Sequence, residues 1–150
     1  MDKKNQDSSY SVLVVDDSAD DRFFLRHSLG KEGGRLVVVG ELCDGEEAMA
    51  YLGGRGKFAD RQQFPVPDLM LLDLKMPKKD GHEVLAWLRN RRMIWPIVVV
   101  LTSSILPADI TRSLDLGAAA YHVKTSERGQ QAELIRALEK LLDDRMRRVT

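Results

Sequence analysis

Four runs of almost unbroken apolar residues constrain this chain more than anything else in it: "SVLVV" at 11–15, "RLVVVG" at 35–40, "DLMLLD" at 68–73 and "PIVVVL" at 96–101. A strand with one face in water alternates apolar and polar residues. A strand covered on both faces does not. These runs therefore read as strands of a parallel sheet with helices on each side. A fifth run, "AAYHV" at 119–123, continues the series.

Helical patterns fill the gaps. Residues 19–31 set Phe24, Leu25 and Leu29 toward one side, and Gly33–Gly34 stop the helix. Ala48 and Leu52 mark a helix at 45–52, and Val84, Leu85 and Leu88 one at 82–91. Pro107 suits the first turn of a helix over 107–116 that Gly117 ends. Leu134, Leu138, Leu141 and Leu142 make 130–147 the longest amphipathic segment. Five β-α units joined by right-handed crossovers give a doubly wound α/β sheet, whose ligands bind beyond the carboxyl ends of the strands.

At 150 residues and 43% apolar, the chain holds one domain with a real core. It is expected to occupy 10–148 behind a flexible tail at 1–9. The formal net charge of 0 gives no general pull toward nucleic acid or an anionic membrane. The single Cys43 allows no internal disulfide, fits a reducing compartment, and reads as a small buried apolar side chain rather than a reactive thiol. The polar N-terminus is not a signal peptide, and no apolar run reaches membrane-spanning length. The expectation is a soluble cytoplasmic protein.

The strand ends carry the chemistry. Asp16, Asp17 and Ser18 follow the first strand, Asp73 the third, Thr102, Ser103 and Ser104 the fourth, and Lys124 the fifth. Each has an ordinary reading. Asp17 or Ser18 caps a helix, Asp20 and Asp21 favour its dipole, Thr102 to Ser104 form a capping run, and Lys124 is a surface lysine. Together these readings weaken, because capping does not need three carboxylates aimed at one point. Such a cluster requires a proton or a hard cation, and Mg²⁺ suits all-oxygen ligands. An aspartate beside Mg²⁺ is a nucleophile toward a phosphoryl group, whose oxygens the cation, the Lys124 ammonium and the Thr102 hydroxyl then take. On this reading Asp73 ends a buried strand because it accepts a phosphoryl group.

The motifs "VLVVDDS", "PDLMLLDLKMPKKDGHEVL", "VVVLTSS" and "AYHVK", in this order and spacing, resemble the receiver domain of two-component response regulators. The resemblance covers about residues 10–143. The segment "GGRGKFADRQQFPVPDLMLLDLKMPKKDG" looks most like the single-domain subgroup that partners cyanobacterial phytochromes. It implies a flavodoxin-like (βα)5 fold with strand order 2-1-3-4-5 and Asp73 as the phosphoacceptor. Asp16, Asp17, Asp73 and the backbone carbonyl of Lys75 would hold Mg²⁺, with Mn²⁺ as the alternative. Thr102 and Lys124 would bind phosphoryl oxygens. Tyr121 matches the switch aromatic that turns inward when Thr102 moves, its other reading being an ordinary half-buried tyrosine. The fourth helix, fifth strand and fifth helix would carry the signal, or a homodimer contact. Lys75 and Ser104, each two residues past a site residue, would tune phosphoryl lifetime. The implied partners are a sensor histidine kinase of phytochrome type and a downstream protein.

One departure stands out. The family usually follows this lysine with a cis proline, and here Thr125 follows Lys124. Either a cis bond is kept at a cost of about 3 kcal/mol, or the bond is trans and "KTSERGQ" takes another path.

"GGRGK" lacks Walker spacing and reads as part of a long loop before Asp68, a specificity surface. His27, His82 and His122 show no metal-ligand spacing. The basic runs "RNRR" (89–92) and "RMRR" (145–148) read as solvated faces. No DNA-binding motif is expected after residue 148.

The leading expectation is a stand-alone receiver with no output domain and no enzymatic activity beyond self-phosphorylation and self-dephosphorylation. A haloacid-dehalogenase-like phosphatase needs an acid where Lys75 stands. An FMN-binding flavodoxin would not place "DDSADD" against a phosphate. A receiver-like scaffold that is never phosphorylated stays open through the Lys124–Thr125 departure.

Overall fold

A computed structural model describes residues 9–31 and 34–149. The tail expected at 1–9 therefore lies almost wholly outside the described residues, as does Gly33. Strands β1 (Tyr10–Val15), β2 (Leu36–Leu42), β3 (Leu69–Leu72), β4 (Ile97–Thr102) and β5 (Ala120–Val123) alternate with helices α1 (Ala19–Lys31), α2 (Gly45–Leu52), α3 (Gly81–Asn90), α4 (Pro107–Asp115) and α5 (Arg128–Val149). All strand pairs are parallel and the order is β2-β1-β3-β4-β5, the doubly wound arrangement expected.

The continuous apolar runs feed two cores. Leu13, Val15, Met70, Leu72, Val98 and Val100 face the side covered by α2 and α3. Val12, Val14, Leu69, Leu71, Ile97 and Val99 face Leu29 of α1 and Ile135, Leu138 and Leu142 of α5. Successive strand side chains point to opposite faces, so a strand buried on both needs no polar alternation.

The edge strand β2 is less covered than its sequence suggests, with Val37 46% exposed. It also runs on through Gly40, Glu41 and Leu42, because these continue the ladder with Leu13, Val14 and Val15. A register shift between Val12 and Leu13 leaves Val39 unpaired, and Gly40 then sits where a Cβ would stand 2.9 Å from Leu13 Cδ1.

In α1, Leu29 is 1% exposed but Phe24 is 59% exposed and edge-on to Phe23. The expectation that Phe24 shares the inward side is corrected. Leu25 and Leu29 are one turn apart, and Phe24 lies about 100° around the helix from Leu25. Cys43 is exposed, not buried. Its thiol contacts Glu47 Oε1 at 2.9 Å, and that carboxylate, with some burial, raises the thiol pKa, so the sulfur is not activated. It follows β2 directly, where the chain turns over the top of the sheet.

The long connection after α2 is a built structure. The Arg61 guanidinium donates to the carbonyls of Tyr51 (2.8 Å), Leu52 (2.7 Å) and Phe64 (3.3 Å), covering the open end of α2. Tyr51, Phe58 and Phe64 pack ring against ring, and Tyr51 donates to the Pro65 carbonyl at 2.9 Å.

Candidate functional site

The loops that leave β1, β3, β4 and β5 converge at the carboxyl edge of the sheet. Leu72 pairs with Val100, so β3 ends at Leu72 with Asp73 next, while β4 runs on to Thr102. Sheet-like bonds continue past the strands: Asp73 N donates to Val15 O at 2.9 Å and Asp16 N to Leu42 O at 3.0 Å. Both carboxylates are thus anchored by backbone and buried, Asp16 at 5% and Asp73 at 7% exposure.

The turn after Asp73 is closed by Gly81. Its N–H donates to Leu74 O at 2.9 Å, and a Cβ there would lie 2.4 Å from Asp73 O. Only glycine allows α3 to start this close to the acceptor strand. Asp80 then caps α3 with a reciprocal capping box through Glu83.

Lys124 is the centre of the arrangement. Its Nζ lies 2.7 Å from Asp16 Oδ2, 2.8 Å from Asp21 Oδ2 and 3.1 Å from Asp73 Oδ2. Lys124 N donates to Thr102 O at 2.8 Å, which ties β5 to the end of β4. Burial alone would lower the pKa of this ammonium, but its bonds to Asp16 and Asp21 and the charge of Asp73 outweigh burial and raise it. Asp16 is shifted upward, chiefly by burial, against the pull of Lys124. Among the described residues the one cis peptide is Trp95–Pro96. The Lys124–Thr125 bond is therefore trans, and the ammonium reaches the carboxylates regardless. In the following loop, Glu127 N donates to Thr125 Oγ1 and Gln131 Nε2 to Thr125 O, which gives "KTSERGQ" its path without a proline.

Asp16, Asp17 and Asp73 each offer an oxygen, and these atoms lie within 4.8 Å of one another. Among the described residues one ammonium, that of Lys124, is at hand for this crowd. An oxygen-only donor set on rigid strand ends, with Asp17 exposed on the open side, fits a hard divalent cation that keeps several waters. Cys43, Asp44 and Glu47 are also close together. However, Asp44 accepts from Glu47 N as the cap of α2, and Glu47 holds the Cys43 backbone and thiol, so that set is already engaged.

The remaining expected residues fall around this centre. Thr102 is 2% exposed at the tip of β4, and its hydroxyl makes no bond to another described residue. Lys75 is exposed on the loop after Asp73. The Tyr121 hydroxyl donates to Ser104 O at 2.8 Å, and Ser104 Oγ lies 2.5 Å from Asp109 Oδ2, so Ser104 ties β5 to the first turn of α4. Asp21 is the residue that sequence reasoning missed as a site member. It read as a dipole-favouring acid, and only the approach of the first turn of α1 to Lys124, just past β5, shows that it shares the lysine.

The family described as response regulator receiver domain matches residues 12–139. The protein-glutamate methylesterase/protein-glutamine glutaminase 6 of Anaeromyxobacter dehalogenans is 40% identical over 130 residues, which span 86% of this chain and 33% of that protein. Response regulator Rcp1 of Synechocystis is 34% identical over 131 residues, 85% of each chain. The crystal structure of the phosphorylated cyanobacterial phytochrome response regulator RcpA superposes with a TM-score of 0.77 at 34% identity, covering 90% of this chain and 94% of that one.

Proposed function

The chain belongs to the response regulator receiver domain family, and from that premise we propose that Asp73 accepts a phosphoryl group from a sensor histidine kinase. The observation that carries this reading is the single ammonium of Lys124 shared among Asp16, Asp21 and Asp73 beside the exposed Asp17. One Asp73 oxygen attacks phosphorus, the bond from phosphorus to the donor imidazole nitrogen breaks, and the nitrogen keeps the electron pair. The carboxylate is oriented for this at both oxygens, since Oδ1 accepts from Leu74 N at 2.8 Å and Oδ2 faces Lys124 at 3.1 Å.

Asp16, Asp17, Asp73 and the Lys75 carbonyl would hold Mg²⁺, which when bound offsets the carboxylate charge and that of the transferring group. Lys124 pairs with one phosphoryl oxygen, and the Thr102 hydroxyl donates to another. Movement of Thr102 draws on Tyr121 and, through Ser104, on α4. The α4-β5-α5 face then carries the signal. Ile105, Leu106, Leu114 and Val123 stand exposed there, suited to a downstream protein or a second copy. Lys75 and Ser104 border the approach of the hydrolytic water and set the lifetime of the adduct.

The similarity to Rcp1 and RcpA supports a stand-alone receiver with a phytochrome-type kinase as its phosphoryl source, acting in the cytoplasm. Among the described residues no helix is long and apolar enough to cross a membrane. The trans Lys124–Thr125 bond, with its lysine seated in the site, weakens the reading as a scaffold that is never phosphorylated.

The test is incubation with acetyl phosphate and Mg²⁺, followed by intact mass. A base-labile phosphoryl adduct, absent in Asp73→Asn, is expected. Binding of neither phosphoryl nor beryllofluoride would overturn the reading.

A further inference from the structure

The two basic runs that the sequence presents as separate solvated faces meet in three dimensions. Arg89 and Arg92 at the end of α3 and Arg145 near the end of α5 line one cleft of about 440 Å³. It opens at the amino edge of the sheet, opposite the carboxylate cluster. Met93, Ile94 and Leu116 supply apolar lining, and Ile94 is 78% exposed.

Charge is strongly segregated here. The chain carries 23 basic and 23 acidic side chains, yet no carboxylate lines this cleft. The Arg92 and Arg145 guanidinium groups make no ion pair with a described residue. Arg89 spends one nitrogen on a backbone acceptor, the Asp115 carbonyl at 2.5 Å. Like charges held together over an apolar surface are unfavourable in the free protein and become favourable once an anion with apolar parts fills the gap. Arginine is also enriched among the energetically dominant contacts between proteins.

We infer that this cleft docks an acidic peptide segment of a partner protein, one in which aspartate or glutamate alternates with Leu-like side chains. The apolar groups would cover Met93, Ile94 and Leu116, and the carboxylates would pair with Arg92 and Arg145. The lining is aliphatic and offers no aromatic ring for base stacking, which disfavours a nucleic acid. It is concave rather than flat, which disfavours a lipid surface. Because the cleft lies at the opposite edge from Asp73, a partner held here leaves the phosphoacceptor open.

The test uses a short fluorescein-labelled peptide of glutamate and leucine in amphipathic order, titrated by anisotropy against the full chain. A serine–leucine peptide and a short DNA duplex serve as competitors. Saturable binding that Arg92→Glu with Arg145→Glu weakens about tenfold or more is expected. Ile94→Ser should weaken it several-fold. The charge-matched control Arg112→Glu with Arg136→Glu should leave it unchanged. Circular dichroism and acetyl phosphate labelling establish that each variant is folded. The proposal is overturned if the wild type does not bind, if the control loses as much affinity, or if the duplex displaces the peptide and binds as tightly.

Discussion

Two charged clusters at opposite edges of the sheet are neutralised to different degrees. At the carboxyl edge one ammonium is shared by Asp16, Asp21 and Asp73, with Asp17 alongside and paired with no described cation. At the amino edge, Asp143 of α5 takes both Arg35 nitrogens, at 2.7 and 3.1 Å, and also accepts from the Tyr10 hydroxyl. The Arg35 guanidinium lies over the Tyr10 ring, 5.3 Å from its centroid. The amino-edge cluster closes β1, β2 and α5 with its charges matched. The carboxyl-edge cluster is under-neutralised, with one described ammonium facing four carboxylates. The same residue types thus make a joint where charges cancel and a site where they do not.

The sharpest way to break this contrast is to exchange the two outcomes. Asp73→Asn should abolish the phosphoryl adduct by intact mass while leaving the fold intact. Asp143→Ala should keep the adduct and lower the stability to urea by about 2 kcal/mol, since it leaves Arg35 and Tyr10 without their shared acceptor. Loss of the adduct in Asp143→Ala with unchanged stability would reverse the assignment of the two edges.

The amino-edge cluster should also shape stability against pH. Its bond to Arg35 holds Asp143 below the usual carboxylate range. A lowered native pKa adds stability that is present above the unfolded value of about 4 and is lost as pH falls through the native value. Burial, then the bond to Asp143, pushes Tyr10 up to about 12. That contribution is present below the unfolded value of about 10 and is lost as pH rises toward 12. Urea midpoints should fall on both limbs, with Asp143→Asn removing the acid limb and Tyr10→Phe the alkaline one.

A smaller effect sharpens the carboxyl edge. Asp17 repels its neighbours and contacts no described cation, so Asp17→Asn should stabilise the metal-free protein by about 0.5 kcal/mol. It should also weaken Mg²⁺ binding measured by calorimetry. A loss of stability instead would show that the cluster is already balanced. Smallest of all, Cys43 should alkylate at pH 8 more slowly than free cysteine, because Glu47 raises its pKa, and Glu47→Gln should speed the reaction.

These contrasts also mark how far the sequence could be read. The apolar runs and turn residues were enough for the sheet, because a strand buried on both faces is legible without its neighbours. The site was legible to the same extent. In a doubly wound sheet every strand end lies on one edge, so Asp16, Asp73, Thr102 and Lys124 had to be neighbours once the strands were recognised. Phe24 was misplaced because periodicity marks apolar positions but not which of two adjacent ones faces the sheet. Cys43 was misplaced because its exposure depends on how the chain turns over the sheet.

The sequence by itself determined the β-α order, the parallel sheet and the residues at its carboxyl edge, since burial on two faces and right-handed crossover are local consequences of residue pattern. Only the tertiary structure decided that Asp21 joins Lys124, that Arg61 seals α2, that Tyr10, Arg35 and Asp143 lock the far edge, and that Arg89, Arg92 and Arg145 share a cleft. Apart from Arg61, which reaches back from the loop that follows α2, each of those joins residues on different elements. Their meeting depends on how helices dock on the sheet, which the packing of the whole core sets and no single segment encodes.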